Sequence, residues 1–133
     1  MTSGPGSGLL LDADVLIDIS RPHPVAMTWL TTLPTLPEVA GIAAMELIAG
    51  CRDGRELRQA ERLLRGFQRR WPSEADLERA LTTYLPLRLA HGIGLDDTLI
   101  AATATGAGLT LVTLNIRHFR HIPGLTILQP YMK

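Results

Sequence analysis

Cysteine is nearly absent from this chain: among 133 residues only Cys51 carries a thiol, which excludes a disulfide framework and a thiolate zinc site. The four histidines (His23, His91, His118 and His121) are scattered, with no pair at zinc-ligand spacing. The sole lysine is Lys133, the final residue. Neither sign of charge dominates. Thirteen basic residues balance thirteen acidic ones, so attraction to a nucleic acid must come from local patches. Residues 1–8 (MTSGPGSG) have no basic segment or apolar stretch of a targeting signal and read as a flexible tail. The uncharged run 98–116 is broken by Gly106 and Gly108 and diluted by five threonines, so no membrane span is expected. The composition fits a reducing cytoplasm, and the length fits one domain with a real core.

What is present is informative at once. The run Leu9-Leu10-Leu11 stops on Asp12, and Asp14 and Asp18 follow. Such a run reads as a buried strand of a parallel sheet. An acid at the carboxyl end of such a strand stands where open α/β sheets bind ligands. An unpaired carboxylate near a core costs several kcal/mol, which makes Asp12 a candidate site residue.

The remaining pattern alternates. Helices are expected over about 14–20 and 24–32, then a proline-punctuated loop, a short strand at 39–42, and a helix carrying Met45 to Ile48. A helix over about 53–70 places Leu57, Ala60, Leu64, Phe67 and Trp71 on one stripe and Arg55, Arg58, Arg62, Arg65 and Arg69 on the opposite one. Ser73 with Asp76 three residues on caps the next helix, whose inner face would be Leu77, Leu81 and Tyr84 before Pro86 kinks or ends it. A small-residue helix over about 97–106, a strand at 109–112, a turn at 115–121 and a strand at 125–128 complete the chain. Strands separated by helices argue for a parallel α/β sheet with helices on both faces.

Three acidic positions fall where apolar elements begin or end: Asp12, Glu46 and the pair Asp96-Asp97. Each has a bland alternative. Glu46 could be a solvated residue, although its helical neighbours are apolar on both sides. Asp96 reads first as an N-cap; for Asp97 the site role is favoured over that of a first-turn acid. Asp14 and Asp18 read as first-turn or solvent-facing acids of the first helix. Carboxylates brought together repel and need a cation, and without Cys or His ligands the chemistry points to Mg²⁺ or Mn²⁺. Such an ion activates water and steadies phosphoryl charge, so hydrolysis of a phosphodiester or phosphate ester is implied.

Four segments then resemble one family, the PIN-domain ribonucleases of the VapC toxin type. They are Asp12-Ala13-Asp14-Val15-Leu16-Ile17, Met45-Glu46-Leu47-Ile48-Ala49-Gly50, Asp97-Thr98-Leu99-Ile100-Ala101-Ala102-Thr103-Ala104, and Leu111-Val112-Thr113-Leu114-Asn115-Ile116-Arg117-His118-Phe119. Each is weak alone; four in order are strong. The resemblance implies a PIN domain over 9–133, a three-layer fold with a central, mostly parallel sheet. It also implies a Mg²⁺- or Mn²⁺-dependent endoribonuclease toxin, homodimeric and neutralised by a cognate VapB-type antitoxin. By resemblance Asp12, Glu46 and Asp97 hold the metal and do the catalysis, with Asp14, Asp96, Thr113 and Asn115 around them. Two departures stand out: Asn115 where many members have Asp, and Ala13 where Thr or Ser is common. Thr113 and His118 read as local hydrogen-bonding residues.

Two alternatives compete. A haloacid-dehalogenase-like phosphatase also opens on a strand followed by D-x-D, but needs an internal lysine that this chain lacks. A PIN-fold interaction module with weakened chemistry draws on Asn115. The arginine stripe is either an ordinary solvated face or a ridge on which Arg58 and Arg62 meet RNA phosphates or an acidic partner.

Overall fold

A computed structural model describes residues 8–133. Most of the expected tail lies outside the described residues. Gly8 does not: it is a turn residue whose carbonyl accepts a hydrogen bond from the Thr110 N–H at 2.8 Å.

The central strand β1 (Leu9–Leu11) passes through Asp12 into α1 (Ala13–Ser20). Leu10 and Leu11 are fully buried, as a strand covered on both faces requires. Helix α2 (Pro24–Thr31), strand β2 (Glu38–Ala40) and α3 (Gly41–Ala49) follow, then α4 (Gly54–Arg65) and β3 (Arg69–Arg70). The chain returns through α5 (Glu74–Arg79), a π-helical turn (Ala80–Tyr84), a 3-10 turn (Leu85–Leu87), α6 (Arg88–His91) and α7 (Leu95–Ala107). Strand β4 (Thr110–Val112), α8 (Ile116–Phe119) and β5 (Ile127–Leu128) end it.

All the strand pairings are parallel, in the order β3-β2-β1-β4-β5. The chain moves outward from β1 on one side, then comes back to β1 and moves outward on the other. Neighbours β1 and β4 therefore flank the switch point, where open parallel sheets leave a crevice beyond their carboxyl ends. Their register pairs Leu11 with Val112, so the next residues, Asp12 and Thr113, emerge side by side. Helices cover both faces, and the small residues Ala101, Ala102 and Ala104 of α7 pack in the core with no exposure.

Four local expectations are corrected. The helix expected over 53–70 stops at Arg65, because Arg69 and Arg70 pair with Val39 and Ala40 as an edge strand and Arg70 grips Glu38 at 2.9 Å. A two-residue exposed strand made of arginines carries no apolar signal. Leu77 and Leu81 are not an inner face; they are 45% and 60% exposed, while Asp76, Ala80 and Tyr84 are buried. The π turn rotates the helix ahead of Pro86, which has no N–H with which to continue an α ladder. Residues 115–121 hold the short helix α8 rather than a turn alone. Asp18 is buried, not solvent-facing: it accepts hydrogen bonds from the Tyr131 hydroxyl at 2.8 Å and the Lys133 Nζ at 2.6 Å.

Candidate active site

The site begins with what β1 and β4 do at their ends. The Asp12 N–H donates to the Val112 carbonyl at 3.0 Å, the last rung between the two strands. Asp12 is also the N-cap of α1, with Oδ1 accepting from the Ala13 N–H at 2.7 Å. Its Oδ2 accepts from the Thr113 hydroxyl at 2.8 Å. A second carboxylate joins here. Asp14 Oδ2 accepts from the Leu114 N–H at 3.0 Å and lies 3.3 Å from the Thr113 hydroxyl. That hydroxyl accepts from the Asn115 N–H at 3.0 Å, so Thr113 links three of the expected residues.

The other acids come from helices. Asp96 and Asp97 lie in the first turn of α7, where the helix dipole favours negative charge. Asp96 is not the N-cap: that position is Gly94, which leaves the carboxylate of Asp96 free to turn elsewhere. A Cβ on Gly94 would stand 2.8 Å from Asp96 Oδ1, so a larger residue there would press on that carboxylate. Asp97 Oδ2 lies 3.1 Å from His118 Nδ1, and His118 Nδ1 lies 2.8 Å from the Asn115 amide. Glu46, on α3, has an Oε1 that is buried without a hydrogen-bond partner.

These carboxylates act on one another. Burial, then the charge of Asp14, pushes Asp12 up to about 7, against the hydrogen bonds from Thr113 and Ala13. Burial raises Glu46 to about 8, assisted by the neighbouring carboxylate of Asp96, which favours the protonated form, and by the charges of Asp12 and Asp97. Asp14 and Asp97 are also raised, mainly by burial, and the hydrogen bonds to each only partly offset it. The donor set is all oxygen except for His118, which suits a hard divalent cation. Its spacing is loose: among the described residues no three His, Cys, Asp or Glu side chains are grouped as they would be around an ion. The expected convergence is thus one of mutual electrostatic influence, short of a closed ligand shell.

A cavity of about 610 Å³ opens beside the carboxylates, between α1, α3 and α4. Glu46 is the one site acid on its wall; Ile17, Leu47 and Leu63 line it with apolar surface, and Arg21, Arg62 and the Arg52–Glu56 ion pair, 2.7 Å apart, stand around it. Arg62 therefore faces this groove, whereas Arg58 is exposed on α4 and does not line it. His118 is the contact that residue patterns brought out least, although its spacing of three from Asn115 on a helical turn was available as a signal.

A parallel α/β sheet with buried, mutually repelling carboxylates at its switch point defines a class of acid-dependent sites. Comparison with known proteins narrows it. The pattern described as PIN domain matches residues 9–125. Ribonuclease VapC10 of Mycobacterium tuberculosis is 39% identical over 114 residues, covering 84% of this chain and 85% of that protein. A toxin-antitoxin complex from Klebsiella pneumoniae contains a chain that superposes with a TM-score of 0.74 at 28% identity, covering 92% of this chain and 98% of that one. VapBC2 from Rickettsia felis, solved with a DNA fragment from its promoter, gives a TM-score of 0.78 at 23% identity over 90% and 96%, which speaks for the fold alone. The chain belongs to the PIN-domain family. The phosphatase alternative falls with that membership, and the sole lysine, Lys133, is paired with Asp18.

Proposed function

We propose that this protein is an endoribonuclease toxin of the VapC type, hydrolysing RNA phosphodiester bonds with a divalent cation and silenced by an antitoxin. The observation that carries the reading is the Glu46 carboxylate, raised to about 8 with one oxygen buried and unpartnered while three further acids act on it. Such an arrangement lacks a positive charge, and Mg²⁺ or Mn²⁺ is the species whose ligand preference matches it. Asp12, Glu46 and Asp97 are the residues that would hold the ion. The ion would supply an activated water and charge stabilisation at the phosphate. Thr113 orients Asp12 and Asp14 through its hydroxyl, and the first turn of α7 supports the charge of Asp97.

The partners follow the same reading. The largely apolar groove beside Glu46 suits an antitoxin segment with apolar side chains and an acid that would meet Arg21 or Arg62. Arg58 lies farther out, where it would meet RNA phosphates by charge alone. Exposed Leu77, Leu81, Leu89 and Leu95, the third at 98%, give the surface an apolar area that a second copy of the chain would cover. A toxin against RNA works in the cytoplasm; no described helix is long and apolar enough to cross a membrane.

The loose carboxylate spacing and Asn115 favour one rival, a PIN-fold module that binds partners without cleaving RNA. Expression of the chain and of its Asp12→Asn and Asp97→Asn variants, followed by growth and RNA integrity, separates the two. Growth arrest and cleaved RNA from the parent alone support the nuclease; equal behaviour of all three supports the module.

A further inference from the structure

The contact between Asn115 and His118 has a chemical problem whose solution assigns Asn115 a role. His118 Nδ1 stands 3.1 Å from Asp97 Oδ2 and 2.8 Å from Asn115 Nδ2. A ring nitrogen carries either one proton or one in-plane lone pair. With a proton it donates to Asp97 but then opposes the N–H of an amide. With a lone pair it accepts from the amide but then opposes an ionised carboxylate. A protonated Asp97 does not rescue that second arrangement, because one lone pair would face two donors.

The amide nitrogen and oxygen occupy nearly equal volumes, so hydrogen bonding and not packing decides which way Asn115 faces. Turning the amide by half a revolution puts Oδ1 against His118. One Nδ1–H then serves two acceptors, Asn115 Oδ1 and Asp97 Oδ2, and every contact becomes favourable. Among the described residues the other terminal atom of Asn115 makes no hydrogen bond, and it is not fully closed off from solvent. After the turn, that atom is the amide nitrogen. The Asn115 backbone is tied to Thr113, which bonds both Asp12 and Asp14, so the free amide stands at the edge of the carboxylate set.

We propose that Asn115 presents its N–H₂ group, not its carbonyl, to the open side of the site, where it donates to a phosphate oxygen of bound RNA and takes no part in holding the metal. His118 is the positioning residue, since its Nδ1–H fixes the amide. The assignment rests on the ribonuclease reading for its substrate, but the orientation stands independently. An amide donor attracts a phosphodiester oxygen where an aspartate would repel it, so Asn at this position exchanges metal affinity for substrate affinity.

Three measurements test this. Long-range ¹H–¹⁵N correlation of the metal-free protein is expected to show His118 protonated on Nδ1; the neutral Nε2–H form overturns the orientation, whether or not the protein cleaves RNA. Calorimetric titration with Mn²⁺ alone is expected to give Asn115→Ala an affinity within about twofold of the parent, and Asn115→Asp about tenfold tighter binding. A loss for Asn115→Ala as large as that for Asp97→Asn makes the carbonyl a ligand and overturns the proposal. Steady-state cleavage of single-stranded RNA is expected to show KM raised about tenfold in both Asn115 variants with a smaller change in kcat. An unchanged KM overturns the phosphate contact. A parent that cleaves no RNA removes the ribonuclease reading while the first two measurements still decide the orientation.

Discussion

Three aspartates of this chain are buried to a similar degree, and they fall into two regions with opposite treatment. Asp12, Asp18 and Asp76 are 5%, 4% and 7% exposed. Asp18 is provided for: burial pushes its carboxyl up, but hydrogen bonds from Lys133 and Tyr131 more than offset this and leave it below the ordinary range. Asp76 is provided for as well. It completes the capping box with Ser73 and pairs at 2.9 Å with Arg79, which also donates to the Ala102 carbonyl at 2.7 Å. A Cβ on Gly106 would collide with the Asp76 carboxylate, so α7 is shaped to admit the pair. Asp12 receives only neutral donors, and its charged neighbours are other acids. Buried acids that hold structure are matched by cations within the chain; those at the switch point are left short of positive charge, as a site built to receive it would be.

The contrast can be broken at either end. The largest effect expected is catalytic: Asp12→Asn or Asp97→Asn should lower RNA cleavage by roughly 10²–10³-fold, read in a gel assay, with the circular dichroism spectrum unchanged. Asp76→Ala should do the opposite, destabilising by about 2–4 kcal/mol in urea titration because it strands Arg79 and removes a cap. Cleavage per folded molecule should hardly change.

Next in size is the stability of the metal-free protein. Asp12→Asn relieves repulsion and should stabilise by about 1–2 kcal/mol at pH 8, whereas Asp18→Ala should destabilise by about 2 kcal/mol. A loss of stability in Asp12→Asn would remove the distinction between the two regions.

The pH dependence follows with its sign. Asp12 titrates at about 7 and Glu46 at about 8 in the folded protein, above the ordinary carboxylate range. An acid raised by folding contributes its full stability below its unfolded pKa and loses it as pH rises through the folded value. The metal-free Tm should therefore fall from pH 5 to pH 8.5, and saturating Mn²⁺ should restore most of it at the alkaline end. The smallest effect is expected from Arg58→Glu with Arg62→Glu. Binding of RNA or antitoxin should weaken several-fold with a shallower salt slope, folding being unaffected; an unchanged slope retires the ridge.

Much of the fold was legible because it depends on local pattern. The run at Leu10 and Leu11, the capping box at Ser73 and Asp76, and the small-residue helix through Ala101 all follow from hydrophobic period and capping chemistry. What escaped depended on partners distant in the chain. Arg69 and Arg70 became a strand because β2 offered an open edge. Asp18 went inside because Tyr131 and Lys133, more than a hundred residues later, came to meet it.

The amino-acid order by itself determined most of the strands and helices of a parallel α/β layer, and that acids sit at their ends, since periodicity and caps act over a few residues. Only the tertiary structure decided which of those acids are neutralised. Compensation of a buried charge is set by distances between remote segments, and those distances exist only once β1 and β4 lie side by side.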